Sequence, residues 1–262
     1  MPTPLRAALL ASWGTAYLLG AEPLERAVAA VEGDDEPHLV VSDPLGGPDE
    51  LAEALVAMRS EGLAGLRLAL PVPGDLVGLA GPPSFNQAVL AVGEAAIGIA
   101  DPARAGSASV PALIPDVCTF GAPGDQGHCV TWRTSPASGA TPDVPTLPEA
   151  DRGLTEAMRD AAASLARVTS GSWTPGAADI AQRLRSWGGS LLLPEVAGPR
   201  AEALAQRAVH TLAIVEAARD DSGGALTSHS AQIRSASLTP LERAARRGLV
   251  AAVGACHDLA VH

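Results

Sequence analysis

The chain of 262 residues has no lysine, and all 18 of its basic residues are arginine. Schiff-base catalysis and pyridoxal-phosphate attachment need a lysine amine, and P-loop enzymes need a lysine for the β/γ-phosphates, so these chemistries are excluded. Aromatics are scarce, at four Trp, one Tyr and two Phe, so the core has to be packed from Ala, Leu and Val. Helices with such small side chains can approach closely. Three cysteines, Cys118, Cys129 and Cys256, are too few and too scattered for a disulfide scaffold. A reduced, cytoplasmic protein is the simplest expectation. Nowhere do about 18 apolar residues run on without a charge, so no membrane-spanning segment is expected. The run from Leu5 to Leu19 has Arg6 as its sole positive charge and is interrupted by Ser12, Trp13, Gly14 and Thr15, which suits an amphipathic helix and not a signal peptide.

Recognisable catalytic signatures are missing as well. There is no G-x-S-x-G elbow, and Gly74, Gly78 and Gly81 lack the spacing of a dinucleotide-binding turn. The adjacent pairs His128-Cys129 and Cys256-His257 suggest a metal at first sight. Neighbours on a strand point to opposite faces, and neighbours on a helix are about 100° apart, so neither dipeptide aims both ligands at one ion. No metal site and no cofactor is expected.

What is present is a charge asymmetry. Residues 1–145 carry 6 Arg against 17 Asp and Glu, while residues 146–262 carry 12 against 12, so the whole formal charge of −11 lies in the first half. The stretch from Thr134 to Pro148 holds four prolines and no periodicity, which marks a connector. The expected organisation is an acidic α/β part over 1–134, a Pro-rich connector over 135–147 and a helical part over 148–262, with the option that the parts pack as one body.

In the first part a helical pattern at Pro23–Glu32 is followed by a strand at His38–Ser42, a helix at Pro48–Ser60 and a strand at Leu66–Leu70. That order predicts a βαβ unit with two parallel neighbouring strands. Ser84-Phe85-Asn86-Gln87 reads as a capping box, and strand-like pieces follow at Ala95–Ala100, Ala112–Val117 and Cys129–Thr134. The expected fold class is α+β or α/β, a small mixed sheet followed by about four helices. These begin with a stripe of Leu154, Met158, Ala161, Leu165 and Val168. A helix over Ala177–Trp187 and one over Arg200–Arg219 with Leu204, Ala208, Thr211, Leu212 and Val215 on one face come next. The last starts at Thr239-Pro240-Leu241-Glu242, with its stripe running through Ala245, Gly248, Ala252, Ala255 and Leu259. The string Pro-Leu-Glu-Arg-Ala occurs at 23–27 and at 240–244 and reads as a repeated helix start.

Three constellations could carry function. Asp43 and Asp75 both follow predicted strands in Gly/Pro-rich loops, and parallel neighbours would bring them to the ligand-binding carboxyl edge, where they could hold Mg²⁺ or act as acid and base with His128 nearby. Aspartate is equally a common turn residue. Cys118 or Cys129 beside His128 could form a nucleophile and base, although the loop from Gly121 to His128 reads as a plain hairpin connection. Arg243, Arg246 and Arg247 could clamp an anion or an acidic partner, or simply form a solvated face. The acidic clusters Asp34-Asp35-Glu36 and Asp49-Glu50 are natural targets for them.

The strings Ser12-Trp13-Gly14-Thr15-Ala16-Tyr17, Gly65-Leu66-Arg67-Leu68-Ala69-Leu70-Pro71-Val72-Pro73-Gly74-Asp75 and Pro240-Leu241-Glu242-Arg243-Ala244-Ala245-Arg246-Arg247 resemble an uncharacterised actinobacterial family of unknown function. The resemblance covers most of the chain and implies a high-GC source, but no activity or site. The expectation is a non-enzymatic binding or regulatory protein with an unknown protein or small-molecule ligand. Homodimers are compatible with it, membrane association is not expected, and the acidic half disfavours nucleic acid. The alternative is an enzyme with an acidic, Mg-dependent site built on Asp43 and Asp75.

Overall fold

The structure is a computed structural model that describes residues 5–42, 47–101, 109–122, 125–140, 142–168, 193–220 and 228–258. The chain divides into two compact units. The first holds residues 5–144, 193–198 and the end of the last helix from Val253, and the second holds residues 145–192 and 199–252.

The first unit is built on a six-stranded sheet: β1 (Leu39–Val41), β2 (Asp49–Glu50), β3 (Leu63–Ala69), β4 (Ala95–Ala100), β5 (Ser109–Ala122) and β6 (Asp125–Ser138). The strand order is β2-β1-β6-β5-β4-β3. Only β1 and β6 pair in parallel; the other neighbours are antiparallel. The sheet is mixed, as expected, but β1 and β3 are not parallel neighbours. β6, β5 and β4 lie between them, and following the pairings across the sheet shows that β1 and β3 run in opposite directions. The reason is that β3 to β6 form an antiparallel succession, the pattern favoured when consecutive strands pair, and it is β6 that comes back beside β1.

The prolines of β5 and β6 sit where this sheet tolerates them. β4 pairs with β5 at Ala112 and Leu113. Pro111 and Pro115 flank that ladder, and Pro136 lies past the residues of β6 that β1 pairs, Thr131 to Arg133. All three prolines hold paired positions inside the β5–β6 register, and it is the outer ladders, to β4 and to β1, that do not include them, so no N–H is missed there. The strand β6 continues to Ser138 and the next helix begins at Leu147, which leaves residues 139–146 between them.

Two layers of helix cover the sheet. Helix α4 (Pro83–Val92) places Phe85 and Val89 on one face, in a cluster with Ala69, Ile97, Val110, Ala112, Ile114 and Ala137. It begins at Pro83 after Pro82, with no side-chain cap, so the box at Ser84–Gln87 does not form: proline takes the first helical position, where its fixed φ fits and no N–H is missed. Helices α1 (Arg6–Leu18), α2 (Leu24–Glu32) and α3 (Leu51–Ser60) complete the unit, and α3 starts with a capping box of Glu50 and Glu53. A Cβ on Gly14 would stand 2.7 Å from Leu66 Cδ1 and 3.5 Å from Leu55 Cδ2, so α1, α3 and β3 meet at that glycine. All residues of α1 except Leu9 are buried. It is therefore an internal helix and not the amphipathic one expected, because its polar positions, Ser12 and Thr15, satisfy their hydroxyls on nearby carbonyls.

The second unit contains α5 (Leu147–Val168), α6 (Gly198–Asp220) and most of α7 (Ser228–Asp258). Leu154 and Ala161 of α5 are buried, Met158 is exposed, and the predicted stripe of α6 is buried throughout. Around Gly248, an added Cβ would contact Leu204, Ala208 and Leu154, so the three helices converge on its missing side chain. The helix expected to begin at Thr239 begins at Ser228 and runs through Pro240. Leu238 and Leu241 are buried on either side, and such packing can hold a helix across the hydrogen bond that proline omits. The helix expected over 177–187 lies outside the described residues.

The loop after β3 is held by Arg67, which donates to the carbonyls of Gly78 (2.7 Å) and Ser138 (2.8 Å). Gly78 has φ of +85°, and a Cβ there would stand 2.5 Å from the Leu68 carbonyl oxygen. Gly78→Ala should cost about 2 to 4 kcal/mol, combining left-handed strain with a backbone clash, as read from urea unfolding of the full chain. A cost below about 1 kcal/mol, the glycine-to-alanine difference expected without a clash, would show that the loop does not need this approach.

Candidate functional site

Two polar arrangements stand on the same sheet face, the one that carries Val40, Leu113, Val130, Trp132 and Thr134. The first is a buried hub. Arg6, at the first position of α1, donates from Nε to Asp35 Oδ2 (2.6 Å) and from Nη2 to Asp35 Oδ1 (3.0 Å). His38 Nε2 lies 3.4 Å from Asp35 Oδ2, and Trp132 Nε1–H donates to His38 Nδ1 at 3.2 Å. Indole nitrogen can only donate, so His38 Nδ1 is the acceptor and the ring proton sits on Nε2, toward Asp35. His128 Nδ1 approaches the other carboxylate oxygen at 3.4 Å. Burial pushes the Asp35 carboxyl up, but the hydrogen bonds from His38 and Arg6 and the Arg6 charge outweigh it and hold its pKa down to about 2.

The second arrangement is a cleft of about 800 Å³ beside α3. Its apolar lining includes Leu24, Val40, Ala52, Val56, Met58 and Pro111, and its polar lining includes Ser42, Thr134, Asp49, Glu53 and Glu61. The Ser42 and Thr134 hydroxyls are hydrogen bonded to each other at 3.3 Å, across the parallel β1–β6 pair. The three carboxylate residues are exposed, and no basic residue contributes to the lining. The sequence pattern gave no sign of this cleft, whose lining comes from six separate elements and the segments flanking them.

The residues singled out from the sequence are dispersed. Asp43 lies outside the described residues. Asp75 is buried in the tight Val72–Asp75 turn after β3. Because β1 and β3 run oppositely, their carboxyl ends lie at opposite edges of the sheet, and the premise that brought Asp43 and Asp75 together is removed. His128 stands on β6, separated from β3 by β5 and β4, and its imidazole is engaged by Asp35. The thiols do not share its face: His128 is opposite Thr119, while Cys118 is opposite Cys129, one residue along, on the other side of the sheet. A pairing of either cysteine with the His128 ring therefore loses its geometric basis. Arg246 binds Glu242 through Nε and Nη2, and Glu242 also pairs with Arg219 at 2.6 Å. Arg243 is exposed and Arg247 half-buried. Among the described residues no three His, Cys, Asp or Glu side chains are grouped to hold a metal ion. Within them, too, no helix is long and apolar enough to cross a membrane.

Fold and cleft together define an α+β protein with a mixed sheet and a separate helical unit. The Rv1486c-like protein N-terminal domain matches residues 7–151 and the Rv1486c-like protein C-terminal domain matches residues 148–250, so the chain belongs to the Rv1486c-like family. No curated protein and no solved structure matches it.

The hub yields a pH dependence. A carboxyl whose pKa falls on folding stabilises the native state fully above its unfolded value, and that contribution is lost as pH drops through the folded value. For Asp35 the window runs from about 4 down to about 2. Asp35→Asn should be less stable by about 3 kcal/mol at pH 7, since buried Arg6 loses its countercharge, and the difference from the parent chain should close toward pH 2. Urea unfolding of both proteins across this range checks it, and a constant difference would deny Asp35 the role.

Proposed function

We propose that the chain is a non-enzymatic binding protein whose first unit receives a small molecule with an apolar body and a cationic group in the cleft beside α3. The observation that carries this reading is the lining itself: apolar walls, exposed carboxylates of Asp49, Glu53 and Glu61, and no basic side chain. A volume of about 800 Å³ lies within the range of roughly 300 to 1,000 Å³ usual for ligand sites, and walls that are mostly apolar with a few polar groups are the usual composition. The carboxylates would attract a cation, and the Ser42–Thr134 hydroxyl pair offers a neutral hydrogen-bonding point between the strands. The lining holds no cysteine, histidine or arginine, and no nucleophile paired with a base, which favours binding over chemistry. Free cysteines support a reducing compartment, for which the cytosol is our choice. The absence of lysine and the Rv prefix of the family name, a mycobacterial naming, support an actinobacterial source.

The test is a thermal-shift and calorimetric comparison of arylalkylamines with the matching arylalkyl carboxylates on the full chain. Amines should stabilise by about 2.7 kcal/mol at 100 times their Kd, and carboxylates should have no effect. Ala52→Trp, which fills the cleft from α3, should abolish the amine response while circular dichroism stays unchanged, and Asp49→Asn with Glu53→Gln should weaken it about tenfold. Equal binding of both ligand series, or undiminished binding by Ala52→Trp, would sink the proposal.

A further inference from the structure

The face of β5 and β6 opposite the cleft carries a feature that the binding reading does not use. Cys118 and Cys129 are direct cross-strand partners in the antiparallel register, and both are exposed and free. Partners of this kind stand with Cα atoms about 4.5 to 5.5 Å apart and side chains on one face, inside the roughly 4.4 to 6.8 Å that a disulfide spans. The register is firm around them, since it runs without a shift from Ser109↔Ser138 to Ala122↔Asp125.

Their position in the sheet gives a bond between them something to do. β4 pairs with β5 only at Ala112 and Leu113, and β1 pairs with β6 at Thr131 to Arg133. Past the Val117–Val130 pair, therefore, no third strand among the described residues pairs with the ribbon. It is held there at His128, by the Glu36 N–H on its carbonyl at 2.9 Å and by Asp35 on its ring, and a two-stranded ribbon with so little support is marginally stable. Cys129 also lines a cleft of about 430 Å³ with Leu39, Phe120 and Thr131, all on the same face. Leu39 is 37% and Phe120 44% exposed, so a change at Cys129 alters a solvent-facing apolar surface.

We propose that Cys118 and Cys129 form a reversible cross-strand disulfide, a redox modification site that takes low-molecular-weight disulfides as its oxidant. One cysteine thiolate attacks a sulfur of the small disulfide, forming a mixed disulfide and releasing one small thiolate. The second cysteine thiolate then attacks the protein sulfur of that intermediate, closing the Cys118–Cys129 bond and releasing the other small thiolate. The two cysteine protons pass to the two departing thiolates, so the protein dithiol is oxidised by two electrons and the external disulfide is reduced to two thiols. The second attack is intramolecular, and the register holds its partners together at high effective concentration. In a reducing compartment such a bond acts as a sensor and not as a scaffold.

The full chain, incubated with graded mixtures of oxidised and reduced glutathione, is read by intact mass and peptide mapping. The parent chain should lose two hydrogens and give one linked peptide pair, Cys118 to Cys129, with buried Cys256 left reduced. Cys118→Ser and Cys129→Ser should each take one glutathione on the remaining exposed thiol. They should do so only at ratios about tenfold more oxidising than those that close the bond in the parent chain. Amide exchange of the ribbon should slow about tenfold on oxidation. A parent chain carrying two separate glutathiones, or one that stays fully reduced where the single variants react, overturns the proposal. Should either variant fail to fold, the mapping of the parent chain decides it alone.

Discussion

The contact on which the first unit depends is the one between the Thr15 hydroxyl and the backbone of Leu66. Thr15 Oγ1 accepts the Leu66 N–H at 2.8 Å and lies 3.0 Å from the Leu66 carbonyl and 2.6 Å from that of Ala11, which share its single proton. β3 is the last strand in the sheet order, so these groups have no further strand to bond. An exposed row of such groups would invite another chain, and here a buried helix closes it at Leu66 with one side chain. The other edge is blunted by different means, since β2 is two residues long and both, Asp49 and Glu50, are charged. To bring a hydroxyl that close, α1 has to be thin where it meets the sheet. That requirement explains Gly14 against Leu66, and Gly65 between Thr15 and the His257 ring.

Burying α1 then determines what its first turn must face. An arginine at the first helical position opposes the positive end of the helix dipole, and Arg6 is 2% exposed, so a countercharge is required. Asp35 supplies it with two hydrogen bonds, while Glu94 accepts the Ala7 N–H at 3.0 Å. Two carboxylates therefore stand at the start of α1, one for its charge and one for its unpaired donor. Through His38 and Trp132 the first of them is tied to β6, which runs beside β1. The polar hub is a consequence of placing a helix terminus inside the protein, and it serves stability before any chemistry.

This account also explains which parts were legible in the sequence. Local periodicity located β3 to β6 and α2, α3 and α6, because each signals through its own residues. Strand neighbours were not legible. Two strands flanking a helix suggest a parallel pair, but pairing is decided by competition among all strands, and β6 displaced β3 as the partner of β1. Context also divided the repeated string: Pro-Leu-Glu-Arg-Ala starts α2 at 23–27 but lies inside α7 at 240–244, where buried Leu238 continues the apolar stripe upstream. Arg6, Asp35, His38 and Trp132 were invisible as a group because up to 126 positions separate them. The one available signal was an arginine opening an otherwise apolar run, which demands a carboxylate somewhere.

The charge asymmetry gains a meaning from where the arginines of the first half go. Arg6 is held by Asp35, Arg67 by two carbonyls, Arg26 by Glu22 and the Trp13 ring, and Arg59 lies over the Tyr17 ring at 5.0 Å. Four of the six are thus engaged with partners of their own unit, two of them over aromatic rings. Asp49, Glu53 and Glu61 stand around the cleft, whose lining holds no basic residue. Screening in salt acts over about 8 Å, so carboxylates gathered on one cleft reinforce one another where distant ones would not. The formal excess of acid in the first half thus coincides, at this cleft, with a lining that holds carboxylates and no basic side chain, the feature on which the proposed cation site rests.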